Sequence, residues 1–283
     1  MRPYIALTKP RITWLILMST AIGYYFGVEG RWSWLTLLHT IVGTGLIASG
    51  TAALNQWMEY RYDARMKRTR MRPLVTGELK PLPAALFAVA LSVGGYLELG
   101  FGANWLTANL GFATLASYLF LYTPLKRKTW WATTIGAFPG AMPTLMGFAA
   151  SHGALNAQAW ALYAILFLWQ FPHFYAIAWM YREDYARAGM QMLPVIDPLG
   201  ERTARHILFT SALLLPVSLL PSFLSMTGTV YLVGATLLGL MYAWSGLRVA
   251  MDRTPVRARK VLLASVAYLP LLYMLMLIDR PWF

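Results

Sequence analysis

The sequence predicts an all-α, polytopic membrane protein of about nine transmembrane helices, with its N-terminus in the cytoplasm. Three observations predict this. Hydrophobic residues make up 58% of the 283, and charged residues only 12%, about half the usual share of a soluble domain, roughly 25%. Nine apolar stretches approach the about 20 residues that a helix needs to cross a bilayer. All 24 Lys and Arg residues except Arg31 and Arg280 fall beyond one end of those stretches, the asymmetry that marks cytoplasmic loops.

In chain order, residues 12–28 form the first span. Arg2, Lys9 and Arg11 precede it as they would in a signal peptide, but the apolar run is long for that and more spans follow, so it reads as a retained helix. Residues 34–58 form the second, and the loop beyond holds Arg61, Arg65, Lys67, Arg68, Arg70, Arg72 and Lys80. Residues 83–100 and 105–122 follow and lead to Lys126, Arg127 and Lys128. Residues 131–150 and 157–181 lead to Arg182, Arg187, Arg202 and Arg205. Residues 207–224 and 230–247 lead to Arg248, Arg253, Arg257, Arg259 and Lys260, and residues 261–278 make the ninth span. An odd number of spans places the C-terminus outside. No linker, repeat or low-complexity segment stands out, so residues 1–283 read as a single integral membrane domain. The loops opposite the basic face are short, which assigns polar chemistry to the cytoplasmic side.

A net charge of +13 would ordinarily raise nucleic acid as a partner. Here the charge marks topology, and there is no soluble basic domain to grip nucleic acid. The absence of cysteine excludes disulfides, thiolate catalysis, iron–sulfur clusters and covalent haem attachment. Phosphate-binding Gly-Lys loops, the Gly-x-Gly-x-x-Gly fingerprint, His-Glu-x-x-His and a serine nucleophile elbow are all missing.

Asn55, Glu59 and Asp63 end the second span at spacing i, i+4, i+8. They therefore share one helix face, about 6 Å apart along the axis. Three oxygen-bearing side chains on one stripe suit a hard cation such as Mg²⁺, and ionisable groups near membrane depth are functional candidates. The plainer reading is a polar helix end leaving the membrane. Arg65, Lys67, Arg68, Arg70 and Arg72 follow, then Pro73. A magnesium diphosphate would satisfy both halves, carboxylates holding metal and guanidiniums holding phosphate oxygens; interfacial anchoring explains any single arginine as well. Tyr122 beside Lys126, Arg127 and Lys128 repeats that ambiguity. The third basic loop follows Trp169 and His173 and contains Arg182, Glu183, Asp184 and Tyr185, in which Glu183 and Asp184 could form a second metal site. His173 lies beside Pro172, which tends to kink a helix, although a lone histidine on an apolar helix is more often packed than functional.

Residues 55–74, NQWMEYRYDARMKRTRMRPL, resemble the first acidic motif of UbiA-type intramembrane prenyltransferases, and the continuation RTRMRPLVTGEL resembles the haem O synthases within that superfamily. Residues 7–15 (LTKPRITWL), 122–129 (YTPLKRKT) and 169–195 (WQFPHFYAIAWMYREDYARAGMQMLPV) extend the resemblance. The last is the most specific, since quinone prenyltransferases carry a more aspartate-rich motif there. Glu59 stands where many members carry Asp, Ala132 where the family often has Asn, and Gln191 where it often has Pro; the second acidic motif shrinks to Glu183 and Asp184.

The resemblance implies nine helices around a lipid-open cavity in the plasma (inner) membrane, with the active site on the cytoplasmic side. It implies that farnesyl diphosphate and haem B give haem O and pyrophosphate, and it leaves room for a downstream haem-modifying enzyme as partner. It assigns Mg²⁺ to Asn55, Glu59 and Asp63, with Asp184 as a further ligand. It assigns substrate binding to Arg65, Arg68, Arg72, Lys126, Arg127, Trp169, His173 and Arg182. Tyr122 and Trp169 would stabilise the allylic cation, and His173 would ligate the haem iron or hydrogen-bond beside it. The rival expectations are a quinone or other aromatic acceptor and, in another class, an anion transporter.

Overall fold

The computed structural model describes residues 1–280. Among the described residues there are no strands, and nine long helical segments carry the architecture. They are α1 (Pro10–Gly27), α2 (Trp34–Asp63), α3 (Pro81–Gly102), α4 (Trp105–Ala116), α5 (Ala132–His152), α6 (Ala157–Met180), α7 (Glu201–Phe223), α8 (Thr229–Met251) and α9 (Pro255–Ile278). Short helices at Arg2–Leu7, Arg182–Arg187 and Leu193–Ile196 lie between or before them. Local chemistry sets many of the starts. Ser33, Asn104, Asn156 and Thr254 each cap a helix by accepting a backbone N–H with their side chain, and proline opens α1, α3 and α9, where its missing donor costs nothing.

Six of these helices, α2, α3, α6, α7, α8 and α9, are long and apolar enough to cross a membrane. The other three predicted spans are helical but fall short in apolarity or, for the 12-residue α4, in length, for a visible reason. α5 carries three threonines, two internal prolines and three glycines and is mostly buried against protein, so lipid selects little for its hydropathy. α1 is buried along its second half and carries Ser19, Thr20 and Gly23 there. α4 gives way at Ser117 to a π-helical turn, Ser117–Tyr122, and then to Thr123–Leu125.

α1 lies against α5, α2 against α3, and α6 to α9 pack together. The α1–α5 contact is backbone on backbone. A methyl group on Gly23 would overlap the carbonyl of Thr144, and one on Gly147 would overlap that of Thr20, so small residues let the two helices close in the way membrane helices commonly do. Phe148, Leu162, Ile165, Tyr175, Tyr242 and Tyr268 fill the core among α5 to α9. Phe101, Phe120, Phe209, Phe223, Leu237 and Leu263 are exposed, as expected of side chains that lipid solvates.

Helix ends depart from the apolar stretches. α2 runs on to Asp63 rather than stopping near residue 58, α7 begins at Glu201 rather than 207, and α9 at Pro255 rather than 261. Polar helix ends project beyond the hydrocarbon, where hydropathy no longer follows them. At 30 residues, α2 is about 45 Å long, well beyond an about 30 Å hydrocarbon core. Its last turns can therefore carry charge.

Candidate active site

The extension of α2 builds the site. Asn55, Glu59 and Asp63 fall on one face of its last turns and are buried, at 3%, 6% and 2% exposure. Each is already engaged. Asn55 donates from Nδ2 to Glu59 Oε2 at 2.9 Å and to Thr123 Oγ1 at 3.1 Å. Lys126 Nζ donates to the same Glu59 oxygen at 2.8 Å, and Arg72 Nη1 donates to Asp63 Oδ2 at 2.5 Å. The loop after α2 folds back on itself to bring Arg72 there, held by Thr69 donating to the Asp63 carbonyl at 2.8 Å.

The π turn delivers the opposing wall. Pro124 has no N–H to give, and the Thr123 backbone N–H reaches back to Tyr118 O, as does its hydroxyl at 2.9 Å. π turns often mark functional sites. Here the turn places Tyr118, Tyr122 and Lys126 on the same cavity as the α2 stripe. The Lys126 ammonium sits 4.7 Å from the centre of the Tyr122 ring. Burial works against its charge, but the Glu59 carboxylate and Tyr118 outweigh that and hold it above the ordinary lysine value.

The resulting cavity holds about 470 Å³ and is lined by Lys9, Asn55, Glu59, Asp63, Arg68, Arg72, Tyr118, Tyr122, Lys126 and Tyr185, among others. Lys9, just ahead of α1, is half-buried and has a left-handed backbone, φ 48°, which costs a non-glycine residue about 1–2 kcal/mol. Burial and the neighbouring Arg72 and Lys126 push its ammonium down to about 7, against the pull of Glu59 and Asp63.

Among the predicted residues, the structure brings Asn55, Glu59, Asp63, Arg68, Arg72, Tyr122 and Lys126 onto one cavity. Arg68 is held there by its backbone N–H donating to Asp184 Oδ2 at 3.1 Å and by Nη2 donating to Tyr185 OH at 3.2 Å. The remaining predicted residues lie off the cavity lining. Asp184 is buried and directs its two oxygens to Arg68 N and to Arg187, and Glu183 is exposed, so the two carboxylates do not meet on the cavity. Arg127 is bonded to Tyr62 and lies 4.3 Å from the centre of its ring, and the Arg65 guanidinium is 5.9 Å from the same ring. Arg182 covers Trp179 at 4.8 Å. Trp169 and His173 stack at 4.9 Å in the seam between α6 and α9, where Trp169 Nε1 donates to Ser265 O at 2.8 Å.

The seam fixes the histidine's tautomer. Ser265 Oγ donates its single proton to Leu262 O at 2.6 Å, so it accepts from His173 Nδ1–H at 2.8 Å, leaving Nε2 as the lone-pair nitrogen.

Sequence reasoning counted Lys9 only as a topological charge and did not single out Tyr118 as a site residue. A lysine caught between an apolar helix and a following proline was the available signal for Lys9. Tyr118 carried none, because its position depends on the π turn.

The donor set fits a divalent metal. Asn55 Oδ1, Glu59 Oε1 and Asp63 Oδ1 accept no hydrogen bond from the protein, so three hard oxygens remain on one stripe. No cluster of three or more His, Cys, Asp or Glu side chains able to hold a metal occurs among the described residues. Substrate oxygens and water would have to complete the shell, as Mg²⁺ prefers.

Comparison with known proteins places the chain in a family. The UbiA prenyltransferase family model matches residues 16–272. The chain is 63% identical to the protoheme IX farnesyltransferase of Solibacter usitatus, over 99% of both chains. It is 47% identical to that of Koribacter versatilis, over 99% of this chain and 94% of the relative. Among solved structures, a digeranylgeranylglyceryl phosphate synthase superposes with a TM-score of 0.81 at 17% identity, over 98% of this chain and 97% of that one. A UbiA homolog from Archaeoglobus fulgidus bound to DMAPP and Mg²⁺ superposes at 0.67 with 17% identity, over 97% and 99%. The chain belongs to the UbiA prenyltransferase family.

Proposed function

We propose that the protein transfers the farnesyl group of farnesyl diphosphate to a vinyl carbon of haem B, with addition of water, giving haem O and pyrophosphate. The observation that carries this reading is the convergence of an oxygen stripe, Asn55, Glu59 and Asp63, and four cations, Lys9, Arg68, Arg72 and Lys126, on one cavity. The protoheme IX farnesyltransferases that match along nearly their whole length supply the acceptor.

Asn55, Glu59 and Asp63 would hold Mg²⁺, which when bound offsets the negative charge gathering on the departing pyrophosphate. Lys9, Arg68, Arg72 and Lys126 take the diphosphate oxygens and add to that field. The bond from the farnesyl C1 to oxygen breaks with its electron pair leaving on oxygen. The rings of Tyr118 and Tyr122 offer their faces to the allylic cation that remains. The vinyl π pair closes the new carbon–carbon bond, water adds to the cation so formed on haem, and a proton leaves to solvent. Asp184 acts by holding Arg68 in place. His173, with Nε2 unengaged, would meet the haem iron or its edge at the α6–α9 seam.

The same reading places all nine long helices across the plasma (inner) membrane, with the N-terminus and the cavity on the cytoplasmic side, and treats residues 1–283 as one domain. The placement of the basic residues supports it. The decisive experiment is mass spectrometry of products after incubating the purified protein with haem B, farnesyl diphosphate and Mg²⁺. A hydrated, farnesylated haem with equimolar pyrophosphate is expected. Prenylation of a quinone precursor with no haem product would reassign the acceptor. Uptake of an anionic solute into liposomes with neither product would reassign the class.

A further inference from the structure

A second cavity, of about 350 Å³, lies between α8 and α9 and shares no residue with the first. Its walls are two stripes of the same spacing: Met241, Trp244 and Arg248 on α8, and Arg257, Lys260 and Ala264 on α9. Positions i, i+3 and i+7 share a helix face, so each helix gives one face to the groove. The two helices are joined by residues 252–254 alone and therefore run antiparallel. Arg248 and Arg257 stand toward that turn, while Met241 and Ala264 lie about 10 Å deeper. The groove has a cationic mouth and an apolar floor.

Its cations are unevenly satisfied. Arg253, outside the groove, reaches Glu201 at 3.2 Å, and Arg257 spends Nε on Asp252 at 3.1 Å. Among the described residues, neither Arg248 nor Lys260 has a carboxylate partner. The half-buried Arg248 guanidinium is 5.9 Å from the centre of the exposed Trp244 ring.

We propose that this groove binds one anionic phospholipid. The phosphate sits among Arg248, Arg257 and Lys260, and an acyl chain lies along Met241, Trp244 and Ala264. Guanidinium groups favour phosphate oxygens bidentately, and basic pockets between helices at the cytoplasmic face suit anionic headgroups. A free phosphate would leave the apolar floor unmatched. A zwitterionic lipid would bring an ammonium group against three cations.

The test is native mass spectrometry of the full chain, released from detergent with phosphatidylglycerol or phosphatidylcholine added, for wild type and for Arg248→Gln/Lys260→Gln. Wild type should retain one phosphatidylglycerol in preference to phosphatidylcholine, and millimolar inorganic phosphate should not displace it. The double variant should lose that retention by about thirtyfold, given two headgroup cations removed, while farnesyl transfer stays at the wild-type rate and shows the fold intact. Arg202→Gln/Arg205→Gln removes equal charge elsewhere and should bind as wild type does. Equal retention of both lipids, equal loss in both double variants, or a haem B affinity that falls in the first variant while phosphatidylglycerol retention does not, would overturn the assignment.

Discussion

Asp63 gives one carboxylate oxygen to Arg72 and keeps the other unengaged, so its replacement should remove a metal ligand and leave a half-buried guanidinium unpaired. Asp63→Ala is expected to cut kcat by at least about 100-fold, the scale of losing one transition-state charge contact, with the folded protein retained. Turnover followed across a Mg²⁺ titration checks it, and a wild-type rate with unchanged Mg²⁺ dependence would refute the assignment. Lys9 gives a pH signature. Its ammonium titrates near 7, so the cation is present below that pH and lost above it. kcat/KM for farnesyl diphosphate should therefore fall as pH rises through about 7, whereas Lys9→Arg, always charged, should flatten the profile. His173→Ala should weaken haem binding and shift the Soret band in a haem titration. Identical spectra, affinity and turnover would leave the residue as packing between α6 and α9.

The elements differ in how far the sequence alone reveals them. The α2 stripe is legible because i, i+4, i+8 is local geometry that any helix preserves, and Arg68, Arg72 and Lys126 are legible as dense charge beside it. The loop that returns Arg72 to Asp63 and the π turn that turns Tyr118 inward are not, since both depend on contacts made only after folding. The partner of His173 is Ser265, 92 residues away, so its tautomer is invisible in sequence. Hydropathy likewise ranks α5 low because that helix is buried in protein. Two elements invite direct tests. Gly147→Ala should force α1 and α5 apart and destabilise the protein by about 1–3 kcal/mol, the usual range for overpacking, read as a lower midpoint of thermal inactivation in detergent. Pro124→Ala should let the π turn relax toward an α-helix and misplace Tyr122. We expect kcat to fall by about tenfold to a hundredfold with expression unchanged.

At the scale of the whole molecule, the cavity and the groove between α8 and α9 both lie beside basic helix ends, the ends that the proposed topology puts in the cytoplasm. The C-terminal residue Phe283, outside the described residues, is where the topology is most sharply tested. A reporter fused there should read as external, and a cytoplasmic signal would mean an even number of spans. The ion pairs at the cavity have one more consequence. Glu59 holds Lys126, and Asp63 holds Arg72, so groups assigned to metal and groups assigned to diphosphate are paired with each other. Metal on the remaining oxygens, Glu59 Oε1 and Asp63 Oδ1, draws charge from those pairs, and diphosphate on Lys126 and Arg72 draws the cations from them. The site is thus an interlock: metal and diphosphate should each tighten the other's binding by the same factor, as reciprocity demands, and calorimetry of Mg²⁺ with and without pyrophosphate would measure that factor.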